Sequence, residues 1–165
     1  MYTAVMTNRL ELPSSEVAHA TSDASLAYAI LRLTFGVNIA LRGITRIANG
    51  TDLFAADLLK QFENSVLPAA TIWPFGLVLP WVESAIGLLL VAGFQTRPTL
   101  VVGGLMMTVL TAGTMLIQNF QTAWLQLTYA VVFFILLACR EWNALSLDGW
   151  HRRRSSAARV ANTNR

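Results

Sequence analysis

From Trp73 to Pro98 the sequence reads WPFGLVLPWVESAIGLLLVAGFQTRP, an apolar run with one acid, Glu83, near its middle. A run of ~20 or more mostly apolar residues is long enough to cross a hydrocarbon core of ~30 Å as a helix. Glu83 is then a carboxyl at membrane depth. A mid-span charge costs about 2.5–3.5 kcal/mol on insertion scales, so it must face protein, find a cation or stay protonated. Pro80 lies one turn away and lacks the N–H that would bond the Gly76 carbonyl. At ~100° per residue Gly76, Glu83, Gly87 and Phe94 share one stripe, whose glycines admit a neighbouring backbone. A buried polar or ligand site is therefore expected around Gly76, Pro80 and Glu83.

The cation is sought on the first apolar segment, Leu26 to Ile47. Central arginines at about +2.5–3.5 kcal/mol each cancel what its apolar residues gain, so lipid cannot surround this helix. Arg32, Gly36, Ile39, Gly43 and Arg46 fall on one face, which should pack on another helix. With ~1.5 Å rise per residue and antiparallel spans centred in the bilayer, Arg42 is nearest Glu83 in depth but about 80° off that face. Arg32 is on the face, roughly 9 Å away along the axis. Arg32 is the favoured partner and Arg42 the alternative, with Arg46 read as reaching the headgroups.

Along the rest of the chain, residues 1–24 read as a polar, largely disordered tail. Asn49-Gly50-Thr51-Asp52 ends the first span with turn chemistry. The segment LFAADLLKQF after it is amphipathic and too short to span, hence an interfacial helix. Gln95-Thr96-Arg97-Pro98 reads as a tight hairpin that turns the third span, Thr99 to Ile117, antiparallel to the second. Gly103 and Gly104, like Gly36, Gly43 and Gly87, are expected at close helix contacts. Ala123 to Cys139 is the fourth span. The expectation is an all-α integral membrane four-helix bundle over residues 25–148, with a short interfacial amphipathic helix between spans 1 and 2 and a basic tail over 149–165.

Composition fits this reading: 55% of residues are hydrophobic and only 13% charged, with the apolar residues in long blocks. The net charge of +3 does not point to nucleic acid, because the basic residues gather in tails, loops and span ends without interleaved aromatics. Arg97, Arg140, Arg152, Arg153 and Arg154 read as cytoplasmic anchors, which puts both termini on the cytoplasmic side of a bacterial inner membrane. A single cysteine, Cys139, cannot form an internal disulfide or a two-cysteine relay. The two histidines, His19 and His151, sit in polar tails, so this subunit alone lacks paired haem ligands within its spans. No metal-ligand spacing appears.

These residues resemble the DoxX family of small four-helix membrane proteins over about Leu31 to Asp148. The likeness rests on Leu31-Arg32-Leu33 with Gly36 and Gly43, on Leu79-Pro80 and Glu83 with Ile86-Gly87, on Gly93 with Thr96-Arg97, and on Ser146-Leu147-Asp148. The resemblance implies a non-catalytic subunit or accessory factor of a membrane oxidoreductase system, quinone- or thiol-linked. Any enzymatic role would be that of an oxidoreductase subunit without its own redox centre. No cofactor is expected on this chain alone; a quinone is the one candidate ligand, and the expected partners are the lipid bilayer, a redox protein and further copies of the chain. For Glu83, an ion pair that fixes helix register stands ahead of a proton-accepting or quinone-contacting carboxyl. Folding back to cap helix ends is the preferred reading of Ser146-Leu147-Asp148. A small transporter or permeation path through an Arg- and Glu-lined interior is the alternative function, disfavoured because four spans show no internal repeat.

Overall fold

The structure, a computed structural model, describes residues 14–150, with side chains from Ser22 onward. It is built from helices α1 (Ser14–Ala48), α2 (Thr51–Gln61), α3 (Ala69–Ala92), α4 (Thr96–Leu116) and α5 (Phe120–Ala138), followed by a single 3-10 turn, Arg140–Trp142. Four helical stretches are long and apolar enough to cross a membrane: Ser22–Ala48, Ala69–Ala92, Thr96–Leu116 and Phe120–Ala138. The protein is thus a multi-pass, all-α membrane protein with a short helix between its first two spans. Helix α1 already runs from Ser14, so the part of the expected tail from Ser14 to Ala24 is helical. The remainder of that tail, and the basic tail from His151 on, lie outside the described residues.

The turns follow from local chemistry. Helix α3 ends in a Schellman motif: Gly93 takes φ +64°, its N–H donates to Leu90 O and the Phe94 N–H donates to Leu89 O. The hairpin therefore turns at Gly93–Gln95, earlier than the expected Gln95–Pro98. Thr96, Arg97 and Pro98 form the first turn of α4 instead, where a proline's missing N–H leaves no helix bond unmade. At the other end of α4, Asn119 caps α5 by accepting the Thr122 N–H at 3.1 Å. The side of the bundle carrying the α3–α4 turn is called the hairpin side below, and the opposite one the far side.

Helices α1 and α3 form the tightest seam. A Cβ added to Gly36 would crowd Leu90 and Val91, one at Gly43 would overlap Pro80 and Ser84, and one at Gly87 would overlap the backbone of Ala40. These contacts pair rising numbers on α1 with falling numbers on α3, so the two helices are antiparallel. The face carrying Arg32, Gly36, Ile39 and Gly43 is the one that meets α3. Extending this register, α1 stops level with about Val78, roughly 13 Å short of the far end of α3. Helix α2 occupies that space: fully buried Ala55 lies against Gly76, leaving no room for a Cβ there. Phe62, just after α2, reaches Gly113 of α4.

The α1–α5 side is spread wider and filled by long side chains. Phe35 packs against Phe133 edge-on, ring centroids 4.9 Å apart, and against Tyr129 at 5.4 Å. The Tyr28 hydroxyl donates to Leu136 O at 3.1 Å. On α4 the two adjacent glycines differ: a Cβ at Gly103 would run into the Phe133 ring, whereas at Gly104 the nearest atom is Phe133 Cβ at 3.9 Å. Gly104 is thus not a close-contact position, contrary to expectation, because the turn of the helix carries it past the ring that fills the space over Gly103.

Candidate functional site

Glu83 is 1% exposed, inside the bundle near the middle of α3. Its carboxylate meets two guanidiniums of α1. Arg46 Nη1 donates to Oε2 at 2.5 Å, and Arg42 Nε lies 3.7 Å from Oε1. Each guanidinium also covers an aromatic ring: Arg46 sits 4.3 Å from the centroid of Phe54 on α2, and Arg42 5.5 Å from that of Tyr129 on α5. A ring face attracts a cation more strongly where water is scarce. The acid therefore draws α1, α2, α3 and α5 to one point.

Arg32, the expected partner, is elsewhere. Helical side chains lean toward their own N-termini. In this antiparallel pair Arg46 leans toward the hairpin side and Glu83 toward the far side, so they converge. Arg32 leans away from Glu83 and starts roughly 15 Å from it along the axis. Its guanidinium instead takes the end of α3, donating to Leu90 O, to Val91 O at 3.0 Å and to Leu145 O, beyond α5, at 2.9 Å. The last carbonyls of a helix lack intrahelical donors and carry partial negative charge, so a buried cation there is well placed. Arg32 is 3% exposed, and its Nε is a buried donor without an acceptor among the described residues.

This second cluster continues into the turn after α5. Asp148 accepts the Gln95 N–H at 2.9 Å and the Thr96 N–H at 2.8 Å, which places a carboxylate on the N-terminus of α4. Its own N–H donates to Gly93 O at 3.1 Å. Asn143 Nδ2 donates to the Thr96 hydroxyl at 2.9 Å. Ser146-Leu147-Asp148 accordingly folds back onto the helix ends of the hairpin.

The other expected site residues divide. Arg42 and Glu83 come together. Pro80 lies beside them in the α1–α3 seam, where its carbonyl accepts the Ser84 hydroxyl at 2.8 Å. Gly76 belongs to the α2–α3 contact instead and clears ground for Ala55, not for the carboxyl. Arg97 and Arg140 are exposed on the hairpin side; Arg152, Arg153 and Arg154 lie outside the described residues. Four participants went unread in the sequence: Arg46 as an ion-pair partner, Phe54, Asn38 and Tyr129. Asn38 had a signal, since it stands one turn before Arg42, and its Oδ1 accepts the Tyr129 hydroxyl at 2.8 Å.

Among family models, that of methylamine utilisation protein MauE matches residues 24–128. The chain belongs to the MauE family. The matched segment runs from the start of the first span into α5 and holds Arg32, Arg42, Arg46 and Glu83, so the ion pair falls within the part that defines this MauE-family chain. It stops short of Tyr129, Asn143 and Asp148. No curated protein and no solved structure matches the chain.

Proposed function

We propose that the protein is a non-catalytic integral membrane subunit or accessory factor of an oxidoreductase system that serves the use of methylamine or a related small amine. The observation that carries this reading is the family match over the spans, whose description names methylamine utilisation. Drawing carbon or nitrogen from methylamine by oxidation removes two electrons at the C–N bond, which requires a redox enzyme with which a membrane partner can act. The geometry supports a supporting rather than a reacting part. Glu83 is held by Arg46 and Arg42 and Arg32 by helix-end carbonyls, so the buried charges of the bundle are engaged in holding it together. The DoxX-like residues add a quinone- or thiol-linked setting, with any redox group on the partner. The bilayer is that of a bacterial inner membrane, with both termini cytoplasmic.

Purification of the full chain from its native membrane in mild detergent tests this. Co-purification with an amine-oxidising enzyme, or with a redox protein needed for its assembly, is the expected result. Solute uptake into proteoliposomes by this chain alone would overturn it.

A further inference from the structure

Helix α1 carries a second polar stripe, on a face that α3 does not cover. Thr34, Asn38 and Arg42 are one turn apart, and Thr45 returns to within about 20° of Thr34. Thr34, Asn38 and Thr45 are exposed and Arg42 is half-buried, flanked by exposed Leu33, Val37 and Leu41. A lipid-exposed row of polar groups inside a span is costly and is normally turned toward other protein.

Apart from the Thr34 hydroxyl, which can donate or accept, the groups the stripe leaves unbonded are donors. The Thr45 hydroxyl bonds its own helix. Asn38 uses its acceptor, Oδ1, on the Tyr129 hydroxyl, which leaves its amide N–H groups. Arg42 Nε lies 3.7 Å from Glu83 Oε1, and neither Nη group makes a hydrogen bond among the described residues. Two guanidiniums also face one carboxylate, a surplus of one positive charge. Donors and surplus charge together ask for an anionic acceptor, and the guanidinium fork suits a carboxylate.

We propose that Thr34, Asn38 and Arg42 form a docking stripe for a transmembrane helix of a partner protein, which presents an Asp or Glu carboxylate to Arg42 within the membrane. A second copy of this chain does not fit. Within the described spans its acids are Asp23, at the outset of the first, and Glu83, which is 1% exposed; a two-fold contact through the stripe would set Arg42 against Arg42. A lipid phosphate fits poorly too, because Arg42 stands level with Glu83, which is roughly 21 Å from one end of α3 and roughly 14 Å from the other. A partner carboxylate beside a guanidinium stays ionised and neutralises the surplus. This inference rests on the accessory role proposed above and gives the partner's recognition element.

The test uses the full chain, fluorescently labelled and reconstituted in phosphatidylcholine vesicles, with synthetic Leu/Ala transmembrane peptides bearing a central Glu, Leu or Lys. Energy transfer should show the Glu peptide binding about tenfold or more tightly than the Leu peptide, with the Lys peptide excluded. R42Q should abolish the preference, and N38L, which leaves the Arg42–Glu83 contact in place, should weaken it severalfold. If R42Q does not fold, N38L alone decides. Equal binding of Glu and Leu peptides, an undiminished preference in the variant, or binding of oleate at Arg42 in place of the peptide would overturn the proposal. A redox enzyme that co-purifies equally with R42Q would remove the stripe while leaving the accessory role intact. A Glu-selective stripe in a protein with no redox partner would do the reverse.

Discussion

Glu83→Gln takes away the charge that holds Arg46 and leaves a partly buried guanidinium without its anion, the more damaging half of breaking an ion pair. Thermal unfolding in detergent should show a loss on the order of 2 kcal/mol for E83Q, and R46Q added to it should lose at least about 1 kcal/mol less than the sum of the single effects. Combined with R32Q, by contrast, E83Q should be additive within about 0.5 kcal/mol, because the two sites share no partner. Strict additivity for E83Q with R46Q would deny the coupling. The neighbouring glycines of α4 give a second contrast. G103A drives a methyl into the Phe133 ring and should cost about 1–3 kcal/mol, whereas G104A meets nothing closer than 3.9 Å and should be neutral or slightly stabilising through helix propensity. At this scale the sequence made the need for a cation at Glu83 legible, since an acid in an apolar run has few alternatives. It did not reveal which cation, because face and depth are properties of Cα positions. The choice between Arg32 and Arg46 was made by the lean of the side chains in an antiparallel pair.

Helix ends show the same division. The hairpin between α3 and α4 was visible as a short polar break, but its position was set by Gly93, which can adopt φ +64°, and not by Pro98, which the first turn of a helix tolerates. The start of α1 at Ser14 was missed because its first turns are polar and carry no apolar periodicity to announce them. Asp148 makes the cap on α4 testable. D148A should cost about 1–2 kcal/mol, and hydrogen exchange at the Gln95 and Thr96 amides should quicken before exchange elsewhere in α4. Unchanged protection at those two amides would mean that the carboxylate does not hold the helix end.

For the molecule as a whole, exposed Arg97 and Arg140 share the hairpin side, whereas Lys60, 80% exposed, belongs to α2 on the far side. The orientation proposed above, with the hairpin and both chain ends cytoplasmic, is the one the positive-inside bias favours. Reporter fusions at residue 165 and in the Gly93–Gln95 turn should both read cytoplasmic, and a fusion between Glu63 and Val66 should read external; opposite readings at residue 165 and in the turn would refute a pair of crossings by α4 and α5. The four helices long and apolar enough to cross among the described residues were legible from block lengths alone, while the use of α2 to fill space left by a short α1 depends on the Gly76–Ala55 contact, which no hydropathy pattern encodes. Arg32 adds a consequence in time. It bonds Leu90, Val91 and Leu145, so α1 leaves the ribosome with a cation whose last acceptor is synthesised more than a hundred residues later. Until then that helix must be sheltered by the insertion machinery or remain loosely seated, and nascent chains halted before Leu145 should be extracted and degraded far faster than chains that reach Asp148.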